Sequence, residues 1–154
     1  MGKRTFLGNV IGWGLVLVAC AAFQIWYRTG DYYAVYASVQ SSRFTQVFTV
    51  FSGVLLLFAI GAVGGCVLVR LRDIHLSRMP RLVMRVISVA VGLLFVAAVA
   101  PVLAGFDTNI FTVLMVFAGM AAGPVFTALG VVYALGFAGL KPETDAAAAD
   151  DEAF

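Results

Sequence analysis

Long apolar runs separated by short polar breaks dominate the chain. Apolar residues fill 7–27, interrupted only by Asn9 and Gln24. They fill 48–69 without a charged side chain, 82–106 with Arg85 alone in its first turn, and 110–140. A helix rises about 1.5 Å per residue, so about 20 apolar residues cross a hydrocarbon core of ~30 Å. The pattern therefore predicts an all-α, polytopic membrane protein: four transmembrane helices in one small bundle over 1–140, followed by a tail over 141–154. Irregular backbone facing lipid leaves polar groups unsatisfied, so each run is expected to be helical throughout.

The breaks carry their own signals. Pro80 suits the first turn of the third helix, and Asp107 or Asn109 can cap the fourth. The fourth run has 31 residues, about 46 Å if straight, and Pro124 within it predicts a kink or tilt near Gly123. Between the first two runs, Tyr32, Tyr33 and Tyr36 follow Trp26 and Tyr27. These rings read as an aromatic belt, on a segment expected to lie flat at the interface.

Composition excludes a water-soluble alternative. Residues AVILMFWYC make up 62% of 154 residues, charged residues 12%, and the mean hydropathy is +1.02. A soluble chain of this size leaves too much surface exposed to hide that apolar content. The net charge of +2 is small and scattered, which argues against nucleic acid. Lys3, Arg4, Arg70, Arg72, Arg78, Arg81, Arg85 and Lys141 flank one side of the predicted membrane, and only Arg28 and Arg43 the other. The positive-inside rule then places both termini in the cytoplasm, and the expected location is the plasma membrane. Leu17-Val18-Ala19-Cys20 resembles a lipidation signal, but the apolar run continues to Trp26 and Tyr27, so an uncleaved first span is expected. The richness in Val, Ala and Gly hints at a bacterial source.

Candidate chemistry is sparse. Intramembrane catalysis or proton coupling needs paired carboxylates, a histidine cluster or an activated nucleophile. Asp31, Asp73 and Asp107 lie in separate loops, His75 is the only histidine, and Cys20 and Cys66 read as small packing residues. No enzyme, metal site or cofactor is expected. What the spans do contain is small residues at helical spacing: Gly8 and Gly12 in the first; Gly53, Gly61 and Gly65 in the second; and Thr112, Gly119, Gly123, Thr127, Gly130 and Ala134 in the fourth. In lipid, helices associate through close backbone approach, so these are the candidate helix-packing positions. Arg70, Arg72, Arg78, Arg81 and Arg85 form a cationic ledge suited to anionic lipid or an acidic partner. The acidic tail holds Glu143, Asp145, Asp150, Asp151 and Glu152 among alanines, too polar to fold alone.

The expected function is a non-catalytic accessory or structural subunit of a larger respiratory, export or lipid-transport assembly. Its partners would be membrane lipids and other integral membrane subunits. The alternative is a small passive transporter or channel, or a lipid-binding membrane protein acting as a homo-oligomer.

Overall fold

A computed structural model describes residues 3–72, 78–105, 110–121 and 123–138. The described residues form six helices and no strand: α1 (Lys3–Thr29), α2 (Tyr32–Ser41), α3 (Arg43–Leu71), α4 (Arg78–Leu103), α5 (Ile110–Ala121) and α6 (Gly123–Ala138). Three of them, α1, α3 and α4, are long and apolar enough to cross a membrane, and the bent pair α5–α6 makes up to four. The chain is thus an all-helical protein whose apolar helices are those of a multi-pass membrane protein. The acidic tail, His75, Asp73, Asp107 and Asn109 lie outside the described residues.

Three hydroxyl groups inside the helices are satisfied one turn back. Thr29, Thr49 and Ser88 donate to the carbonyls of Ile25, Thr45 and Met84, each at 2.8 Å and one turn back. Such back-bonding lets Ser and Thr sit in an apolar segment without an orphaned polar group. The segment between the first two spans is a helix in its own right. Ser42 separates α2 from α3, accepting from the Thr45 backbone N–H at 3.4 Å as the cap of α3.

α3 is the centre of the bundle. Phe51, Ala59, Ala62 and Cys66 on it are fully buried, and it packs most extensively on α6 and next on α1. One end gathers the start of α1 with the end of α3: the Arg70 guanidinium lies 4.6 Å above the Phe6 ring. At the same end Tyr133 of α6 donates to Asn9 Oδ1 at 2.8 Å. Gln24 Nε2 donates to the buried Ser52 Oγ at 2.7 Å toward the opposite end, where the Phe23 and Phe48 rings meet. Asn9 and Gln24, the two polar interruptions of the first apolar run, are therefore the groups that tie α1 to the bundle.

The fourth apolar run differs from a kinked rod. α5 and α6 are two helices bent by 98°. A single proline kink is gentler than that. Here Gly123 and Pro124 open a new helix, where the missing proline N–H is one of the free amides of a first turn. The third run also ends early: α4 stops at Leu103, and Ala104 and Gly105 form a turn in which Gly105 has a φ of 97°, a left-handed value that favours glycine.

Candidate functional site: a glycine seam, an arginine anchor and an apolar cavity

The seam between α3 and α6 is built by backbone contact. A methyl group placed at Gly61 would collide with the Thr127 carbonyl oxygen, and one at Gly130 with the Phe58 carbonyl oxygen and with Ala62 N at 2.6 Å. At Gly65 it would meet Ala134 Cβ at 2.7 Å and Val131 Cα at 3.1 Å. Gly61, Gly65, Thr127, Gly130 and Ala134 are thus brought together along one line. Gly123 lies at the edge of this contact, where an added Cβ would sit 3.3 Å from Leu57 Cδ1, and one at Gly53 would meet only Gln24, at 3.9 Å. Gly8 and Gly12 are exposed, with nothing within 4 Å of either. Gly119 lies in α5.

Thr112 belongs to α5 and bonds to α4 rather than joining the seam. It is buried, and its hydroxyl donates to the Ala98 carbonyl of α4 at 2.9 Å. Pro101 inside α4 lacks the N–H that would bond the neighbouring Ala97 carbonyl, so α5 docks where the α4 backbone is already disturbed. Interhelical bonds of this kind are worth ~0.6 kcal/mol on average, so Thr112→Val should lower bundle stability by about that amount in detergent unfolding. A loss several times larger would mean that the hydroxyl has further duties.

The arginine ledge is not a uniform row. Arg72 is exposed at the end of α3, and Arg70 is exposed over Phe6. Arg81 is half-buried, and Arg78 begins α4, its side chain lying outside the described set. Arg85 is half-buried and turned inward. Its Nε donates to the Gly136 carbonyl at 3.0 Å, and its guanidinium lies 5.7 Å from the Phe137 ring centre. A Cβ at Gly136 would come within 3.2 Å of the Arg85 backbone N, so the glycine allows the two helices close enough for the bond. Gly136 was not conspicuous in the sequence, because its partner helix is 51 residues away.

A partly open cavity of about 190 Å³ has α1, α3, α4, α5 and α6 all contributing to its wall. Trp13, Phe58, Phe95, Met115, Phe126 and Tyr133 supply most of that wall. Its hydroxyls are turned away: Ser88 bonds the Met84 carbonyl and Tyr133 bonds Asn9. The cavity can hold an apolar group; its walls carry no carboxylate, imidazole or thiol. Among the described residues no cluster of three or more His, Cys, Asp or Glu side chains could hold a metal. Cys20 and Cys66 are buried free thiols, Cys66 packing with Val69 and Ala134.

Fold and site define the chain's class as a compact all-helical bundle of apolar, membrane-type helices. Compared with protein-family models, with curated proteins and with solved structures, it matches none.

Proposed function

We propose that the chain is a non-catalytic accessory subunit of a larger assembly in the plasma membrane. In this reading it spans four times, with α5 and α6 together as the fourth crossing and both termini cytoplasmic. The end of the bundle that carries Arg70 and Arg85 also carries the start of α1, and arginine-rich ends face the cytoplasm.

One observation supports the subunit reading above the others. Gly61 and Gly65 of α3 and Gly130 of α6 are used inside the bundle, whereas Gly8 and Gly12 of α1 are not. Gly8, Gly12, Ala19 and Ala22 lie at helical spacing on an exposed face of α1, beside exposed Leu15 and Val18. A face of this kind admits the backbone of another membrane helix. The test is Gly12→Leu. Nothing lies within 4 Å of that position, so the bundle itself should be undisturbed while a docked helix is displaced. In mild detergent the wild-type chain should migrate with companion subunits identified by mass spectrometry, and the variant alone with unchanged helicity. A variant that keeps its companions, or a wild type that travels alone, counts against the proposal.

A second reading, a lipid-binding protein acting as a homo-oligomer, is favoured by the apolar cavity. It predicts that the companion displaced by Gly12→Leu is a second copy of the chain.

A further inference from the structure

Two grooves meet at Arg28. One, of about 470 Å³, runs between α1 and α3 and is lined by Ala21, Gln24, Ile25, Gly53 and Leu57 besides Arg28 itself. The other, of about 390 Å³, lies between the end of α1 and α2, and Tyr27, Tyr32 and Tyr36 line it together with Arg28. The first is oily and the second carries phenol hydroxyls, with a guanidinium between them. From Ala21 to Arg28 the first groove extends about 10 Å along α1.

We infer that this pair of grooves is a binding site for one anionic phospholipid, its phosphate on Arg28 and an acyl chain along the α1–α3 groove. Three features point to that occupant. Arg28 is exposed and forms no ion pair among the described residues, so a planar donor set suited to a phosphate is left at the mouth of an apolar channel. Gly53 keeps the channel open without being needed for helix approach, since its Cβ position meets only Gln24, at 3.9 Å. Tyr32 and Tyr36 stack with ring centres 6.2 Å apart and are 73% and 56% exposed, which holds two hydroxyls at headgroup level. An aromatic belt accounts for the tyrosines alone; it does not account for a groove that continues past the cation into the bundle wall. The site is independent of the subunit reading, because it lies on α2 and the α3-facing side of α1, not on the Gly8–Gly12 face.

Retention of phosphatidylglycerol and of phosphatidylcholine with the same acyl chains, measured by native mass spectrometry on the full chain released from micelles, tests it. Wild type should hold phosphatidylglycerol in preference. Arg28→Gln should reduce that retention about fivefold, the ~1 kcal/mol one basic residue gains beside an anionic headgroup, and leave phosphatidylcholine unchanged. Gly53→Leu, which fills the channel, should lower both lipids, whereas Arg43→Gln, at the start of α3 and outside both grooves, should lower neither. Millimolar inorganic phosphate should not displace the lipid. Unchanged phosphatidylglycerol retention in Arg28→Gln, an equal fall in Arg43→Gln, no effect of Gly53→Leu, or displacement by free phosphate each overturns the inference. Helicity and melting of each variant are read alongside. Arg28 is exposed, so an unfolded Arg28→Gln chain would also overturn the assignment, by giving the residue a structural role.

Discussion

Gly130→Ala is expected to lower the stability of the bundle by about 3 kcal/mol, the upper end of what overpacking costs. The added methyl has nowhere to go. Its position falls on the Phe58 carbonyl oxygen and 2.6 Å from Ala62 N, both backbone atoms of α3 that no side-chain rotation can move. The helices must separate along the whole seam, and Gly61 and Gly65 lose their contacts with Thr127, Val131 and Ala134 as they do. In lipid the close backbone packing is what holds the two helices together, and acyl chains cannot match its fit once the helices separate. Gly8→Ala, with open space at its Cβ position, is the matched control and should change stability by less than about 0.5 kcal/mol, as surface substitutions usually do. The measurement is unfolding in mixed micelles followed by helicity. Equal effects of the two substitutions would mean that α3 and α6 do not meet at this seam.

Arg85→Leu should have the second-largest effect, about 2 kcal/mol, the usual range for a hydrogen bond to a charged group. The loss has a specific location. Arg85 Nε donates to the Gly136 carbonyl in the last described turn of α6, and a cation there also complements the partial negative charge of that end of the helix. Arg85→Lys keeps the charge but not the planar fork, and it should recover less than half of the loss. Amide exchange of residues 130–138 reports the outcome directly. Protection lost in the last two turns of α6 with α3 unaffected is the expected result, and uniform loss across the bundle would assign Arg85 a different role.

How much of this was legible beforehand depended on the range of each interaction. The apolar runs at 7–27, 48–69 and 82–106 nearly coincide with α1, α3 and α4, because span length is set by bilayer thickness and needs no partner to be read. In the run at 110–140 Pro124 marked where the backbone bends, but not how sharply. Hydropathy counts side chains and is blind to the 98° between the helix before the break and the one that opens at Gly123. A ten-residue helix, α2, was also hidden, because its tyrosines suggested an interface without dictating a conformation.

Among the glycines, spacing identified small faces but not their orientation. Gly8 and Gly12 have the same four-residue separation as Gly61 and Gly65, yet the first pair faces outward and the second meets α6. Which face turns inward follows from the polar pairs Asn9–Tyr133 and Gln24–Ser52, whose members lie 124 and 28 residues apart. Likewise Arg85 looked like one of five ledge arginines until the fold brought the Gly136 carbonyl to it.

What the sequence determined by itself is the class of structure. Runs of apolar residues of membrane length, with almost no titratable side chain inside them, can form only helices that satisfy their own backbone. What only the tertiary structure decided is which surfaces are occupied and which are free. The α3–α6 seam closes on itself, the α1 glycine face stays open, and Arg28 is left between an oily groove and a ring of tyrosine hydroxyls. The reason is physical: helix formation is local, whereas close packing in lipid is chosen by long-range hydrogen bonds and backbone contacts that have no signature along the chain.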